Sequence, residues 1–167
     1  RAPGEVGTYL GLTGQTANGS DAVYAGLADA QIVSGDWPAL REVLTQLSPG
    51  SDHAATIALI NRFAVAGEPG PIAKQRALID KAFAFDTIEE IVTALEQDGS
   101  EFAKATLASL HEKSPRGLKV TLKLLRLARS SASLEECLVR EYRAALEVFA
   151  SDDFVEGVRA AIIDKDR

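Results

Sequence analysis

Four cations, Arg116, Lys119, Lys123 and Arg126, recur at spacings of three, four and three. On a helix that spacing lays them in one stripe, where ammonium and guanidinium groups can meet the oxygens of phosphates. A solvated basic face is the plainer account of the same residues. Arg159 and Lys165 form a second group of cations open to the same two readings, ligand contact or ordinary surface charge.

Other residue types that carry chemistry are sparse. Glu141 falls in register with the apolar row Leu134, Cys137, Leu138, Tyr142 and Ala145 and sits close to Arg140 and Arg143. Such a position suits either a tuned carboxylate or a structural ion pair at a helix contact, and the ion pair is the simpler expectation. His53 and His111 stand 58 positions apart, and neither has a Cys, His or carboxylate at ligand spacing, so no metal site is expected. Ser109 or Ser114 could be set beside His111 as a nucleophile and base, but no nucleophile-elbow sequence supports that arrangement. Cys137, the single cysteine, reads as a small buried thiol. Gly157 interrupts an apolar helical stretch, which suggests the close approach of another helix or subunit.

The elements that must carry these residues read as helices. Residues 4–12 form a short helix closed by Gly14, and Asp21 is expected to cap a brief one through Tyr24. The run from Gly26 to Val33 ends in the one strand expected. Trp37-Pro38 opens a helix in which Leu40, Val43, Leu44 and Leu47 recur at helical spacing, stopped by Ser48-Pro49-Gly50. The Gly67-Glu68-Pro69-Gly70-Pro71 loop divides a segment near residues 54–63 from one near 72–83. Thr87, Ser100, Ser114 and Ser133 each precede an apolar periodic run and predict N-caps, and Gly99 predicts a C-terminal stop. A last helix is expected over about residues 153–163.

The whole chain has 167 residues, enough for one domain, with a composition ordinary for a globular protein: 46% hydrophobic and 25% charged. A net charge of −6 disfavours broad nucleic-acid binding. No apolar run approaches the ~18 residues of a spanning helix, and no signal-peptide pattern opens the chain, so no membrane partner is expected and the cytoplasm is the expected location. The chain starts at Arg1 and holds no Met, and is read as a piece of something longer.

Several segments carry a resemblance. Asp152-Asp153-Phe154-Val155-Glu156-Gly157-Val158-Arg159-Ala160-Ala161-Ile162-Ile163-Asp164-Lys165-Asp166 resembles the C-terminal signature of the 3-hydroxyisobutyryl-CoA hydrolase branch of the crotonase superfamily. Gly4 to Gly14 with Asp21 to Ala28 is similar to the segment just after that superfamily's catalytic loop. Thr87 to Ile91, Gly99 to Ala103, the block opening at Ser114-Pro115, and Glu141-Tyr142-Arg143 follow in the order of the hydrolase branch. Arg116-Gly117 departs from the branch's small polar pair, and Ala161 stands where hydratases tend to have an aromatic residue.

The resemblance implies a mainly α chain: the C-terminal helical portion of a crotonase-like α/β fold, with at most one or two short strands. Residues 1–35 would end the core and residues 36–167 would form the helical C-terminal region. It implies an acyl-CoA substrate, with coenzyme A as part of that substrate and no separate cofactor. Lys119, Lys123, Arg159 and Lys165 are then the candidate contacts to the nucleotide end of CoA. No residue of the chain is assigned a catalytic role, because the family's catalytic groups match positions upstream of residue 1. The implied partners are the remaining N-terminal half of the enzyme and possible further copies in a homo-oligomer. An enoyl-CoA hydratase or isomerase is the alternative within the superfamily, and a non-catalytic helical interaction module the alternative outside it.

Overall fold

The computed structural model describes residues 2–48, 50 and 52–165; of the stop expected at Ser48-Pro49-Gly50, Pro49 lies outside these. Among the described residues the chain forms helices α1 (Val6–Thr13), α2 (Gly19–Tyr24), α3 (Trp37–Thr45), α4 (His53–Asn61), α5 (Pro71–Lys74), α6 (Arg76–Ala82), α7 (Ile88–Asp98), α8 (Glu101–His111), α9 (Pro115–Ala128), α10 (Leu134–Phe149) and α11 (Asp152–Val158). A 3-10 turn, Ser34–Asp36, precedes α3, and a π-helical stretch, Arg159–Asp164, follows α11.

The helix starts follow the expected chemistry. Thr87, Ser100, Ser114, Ser133 and Ser151 each accept a hydrogen bond from the backbone N–H three residues on, satisfying a donor the helix leaves open. Gly99 closes α7 at φ 65°, the left-handed conformation that costs glycine least. The strand expected before Val33 reduces to one antiparallel bridge between Ile32 and Ala64, beside a Val65 N–H to Gln31 C=O bond of 2.9 Å. The 3-10 turn begins at Ser34 and leaves too short a run for a ladder. The helix expected over residues 72–83 is broken at Gln75, whose φ of −99° and ψ of 13° divide α5 from α6.

The chain forms two compact units. In the first, residues up to Gly7 together with Gln15–Asp80, Leu40, Ile72 and Ile79 are buried. Asn18, rather than Asp21, caps α2, its side chain accepting from the Asp21 N–H at 2.8 Å. Asp21 is instead 2% exposed, and its two carboxyl oxygens accept from the Ile72 and Ala73 N–H groups at 3.2 and 3.1 Å. It therefore caps α5 from 51 residues away in sequence. Gly70 is required beside it, since a Cβ there would lie 2.3 Å from that carboxyl group.

In the second unit, Thr8–Gly14 with the chain from Lys81 onward, Tyr9 packs edge-on to Phe83 at 5.5 Å and stacks on Phe102 at 5.6 Å. Phe83, Ile91, Leu95, Leu110 and Leu122 complete this core. Arg126 reaches across it from α9. It donates to the Phe83 and Phe85 carbonyls at 2.7 and 2.5 Å, to Thr8 at 3.2 Å and to Asp86 at 2.8 Å. These bonds tie α9 to the turn before α7.

Helix α10 is apolar on two sides. Cys137, Ala144 and Val148 are half-buried on the inner one, so the thiol is less enclosed than expected. The outer row, Leu134, Leu138, Tyr142, Leu146 and Phe149, is 51–70% exposed. Exposed leucines contribute little to folding but make a contiguous sticky surface. The double substitution Leu138→Lys with Leu146→Lys should therefore shift stability by less than about 0.5 kcal/mol per site while reducing self-association. Unfolding in urea and light scattering check both parts; a loss above about 2 kcal/mol would show that the row is packed.

Candidate functional site

The basic stripe of α9 meets the first turn of α7 in an open groove of about 460 Å³ lined by Asp86, Thr87, Glu89, Lys119, Lys123 and Arg126. Its floor is apolar, from Ile88 and Leu122, both buried core residues. The four cations of the stripe have separate fates. Arg126 is consumed by the clamp just described, with a side chain only 12% exposed. Lys119 Nζ holds Glu89 Oε1 at 2.5 Å, between two exposed side chains. Lys123 is exposed on the same groove and makes no ion pair among the described residues. Arg116 lies outside it, at the rim of a second, apolar groove beside Val148, Phe154 and Ile162.

The hydrogen bond from Lys119 holds the Glu89 carboxyl below its ordinary pKa of 4.5, helped by the backbone at the start of α7. The native pKa lies below the unfolded one, so the pair's contribution is complete above about 4.5 and is lost as pH falls through the native value. At neutral pH the groove thus presents a formed ion pair beside the exposed Lys123 side chain.

Arg159 and Lys165 do not line this groove. Arg159 forks onto Glu156, donating from Nε at 2.9 Å and Nη2 at 2.6 Å, and also pairs with Asp164. Lys165 is exposed at φ 55°, ending the π-helical stretch. The structure therefore brings Lys119 and Lys123 together and leaves Arg159 and Lys165 apart from them.

The remaining candidates take structural places. Glu141 is exposed on α10 and makes no ion pair among the described residues, because Arg140 turns to Glu136 at 2.8 Å. Ser109 is buried and donates to the Thr13 carbonyl at 3.1 Å. Ser114 donates to Asp153 Oδ2 at 2.5 Å while accepting from the Gly117 N–H, so it links α9 to α11 and is not set on a histidine. His53 and His111 are exposed, and no group of metal-ligating side chains forms among the described residues. A Cβ at Gly157 would meet nothing within 4 Å among those residues, in place of the close approach expected. Sequence reasoning missed Asp86 and Glu89 as members of the groove, since they lie more than 25 positions from α9 and read only as helix-start acids.

The chain belongs to the enoyl-CoA hydratase/isomerase family, whose model matches residues 1–167. It is 37% identical to 3-hydroxyisobutyryl-CoA hydrolase-like protein 1, mitochondrial, of Arabidopsis thaliana, over 98% of this chain and 43% of that protein. It is 35% identical to small ribosomal subunit protein mS47 of the same plant, over 99% of this chain and 42% of that one. Among solved structures, a carnitinyl-CoA dehydratase from Mycobacterium thermoresistibile superposes with a TM-score of 0.86 at 32% identity, covering 98% of this chain and 46% of that one. The chain thus spans less than half the length of these relatives, and its architecture is that of the helical C-terminal part of a crotonase fold. The expected cytoplasmic location is contradicted: the hydrolase-like protein 1 of Arabidopsis and the 3-hydroxyisobutyryl-CoA hydrolases of Xenopus laevis and human are named as mitochondrial. Composition and a lone thiol do not distinguish one reducing compartment from another.

Proposed function

We propose that the chain is the C-terminal region of an acyl-CoA thioester hydrolase that cleaves 3-hydroxyisobutyryl-CoA to the free acid and CoA, as in valine breakdown. The observation that carries this reading is the match of 100% of the chain, at 36% identity, to proteins of Xenopus laevis and human named 3-hydroxyisobutyryl-CoA hydrolase, each covered over 44% of its own length. The signature from Asp152 to Asp166 supports hydrolase over hydratase. Residues 1–35 would end the catalytic core, and residues 36–167 would cap it and shape the acyl pocket.

Thioester hydrolysis requires donors preplaced for the oxyanion that appears in the transition state. Such donors, and the groups that activate water, belong in this reading to the rest of the enzyme. Within the chain, Lys119 and Lys123 would meet phosphate at the nucleotide end of CoA, with Arg159 and Lys165 as further contacts. Coenzyme A enters only as part of the substrate, and further copies of the enzyme are candidate partners.

Two observations support other readings. The family description and the dehydratase superposition favour an enzyme that hydrates or isomerises an enoyl-CoA without releasing thiol. The likeness to a ribosomal subunit protein favours a non-catalytic role. Thiol release by the full-length parent, with 3-hydroxyisobutyryl-CoA and separately with crotonyl-CoA, tests all three. Rapid release from the first substrate alone is the expected result, with none from the 167-residue chain by itself. Hydration of crotonyl-CoA without thiol release would establish the second reading, and inactivity toward both the third.

A further inference from the structure

We propose that Glu89 is a built-in competitor for phosphate in the α7–α9 groove: Lys119 exchanges Glu89 for a phosphate of the ligand, and Glu89 thereby limits how tightly the nucleotide end is held. The inference rests on the reading that Lys119 and Lys123 receive the phosphates of CoA.

Three facts about the groove lead to it. First, Arg126 is largely withheld from a ligand, because its side chain is 12% exposed and four of its N–H donors go to the Phe83 and Phe85 carbonyls, Thr8 and Asp86. Second, the two cations left to bind an anion are one helical turn apart on α9, and they differ: Lys123 makes no ion pair among the described residues, whereas Lys119 is closed on Glu89 at 2.5 Å. Third, both members of that pair are more than half exposed, 58% and 66%, so water and ligand can reach it and the exchange needs no movement of the backbone. An exposed pair is weak enough to be displaced, typically by a factor of only a few.

The direction of the effect follows from charge. With Glu89 present, the two lysines and one carboxylate leave the groove one net positive charge for an incoming phosphate, apart from the Arg126–Asp86 pair. Replacing Glu89 by glutamine doubles that charge at nearly the same shape. A phosphomonoester carrying two negative charges gains more from the change than a diester carrying one. CoA carries such a monoester on its ribose, and dephospho-CoA lacks it, so the pair of ligands isolates the effect. The exchange also gives the groove a way to let go: as phosphate departs, Glu89 recloses on Lys119.

The test is calorimetric titration of the full-length parent with CoA and with dephospho-CoA, in wild type and in Glu89→Gln, Lys119→Ala and Lys123→Ala. Glu89→Gln is expected to tighten CoA binding about five-fold at low ionic strength, dephospho-CoA about two-fold, and both gains are expected to shrink as salt rises. Glu89→Ala should move affinity in the same direction, and circular dichroism confirms the fold of each variant. Affinity unchanged or weakened in Glu89→Gln, with the two lysine variants still losing binding, overturns the competitor alone. No binding by wild type, or binding indifferent to both lysines, overturns the reading of the groove and the inference with it.

Discussion

Arg126→Ala is expected to lower stability by about 3 kcal/mol and Tm by about 9 °C. The guanidinium is nearly enclosed and donates to four groups, and two of those are the backbone carbonyls of Phe83 and Phe85. Removing it leaves these carbonyls without that donor where α6 turns toward α7, and hydrogen bonds to a charged donor are each worth about 1.5–3 kcal/mol. Arg126→Lys should recover less than half of the loss, since one ammonium cannot reach the carbonyls, Thr8 and Asp86 in the planar fork that Arg supplies. Thermal unfolding measures both. A Tm within 2 °C of wild type, together with weakened CoA binding, would return Arg126 to the phosphate-binding role its spacing first suggested.

Asp21→Ala is expected to cost a further class of stability, about 2–4 kcal/mol, by orphaning the Ile72 and Ala73 N–H groups at the start of α5. Asp21→Asn keeps one acceptor and turns a donor toward a donor, so it should cost about half as much. Gly70→Ala provides the control. Its Cβ would collide with the Asp21 carboxyl group at 2.3 Å, a strain of about 1–3 kcal/mol that vanishes when Asp21 is already alanine. A double-mutant cycle in urea therefore should show coupling above 1 kcal/mol. Additive losses would mean that loop and helix are not held together through this side chain.

These two residues also show where sequence reading stops. The sequence marks both, Arg126 as the end of a basic stripe and Asp21 as a helix cap. Residue type and spacing identify a cation on a helix face and an acceptor for a helix start. Neither identifies the partner, because each partner lies more than 35 residues away and only the packed chain brings it near. Lys119 illustrates the same limit at the groove: its place on the stripe was legible, its pairing with Glu89 was not. The place of Gly157 and Cys137 on apolar helical stretches points to tight packing, yet one is open and the other half-buried among the described residues.

What the amino-acid order determined by itself is local: where helices begin and end, through Thr87, Ser100, Ser114, Ser133 and Gly99, and which faces are apolar. A cap binds an N–H three residues on and a left-handed stop needs one residue type, so neighbours in sequence suffice to specify them. The family was legible for a related reason, since its signature is a contiguous run. The tertiary structure alone decided which cations of the stripe stay exposed, that a candidate strand closes as a single bridge, and that Asp21 serves α5. Each of these depends on groups brought together from distant parts of the chain, where the partner available in space and not the spacing in sequence determines how a charge or a backbone N–H is satisfied.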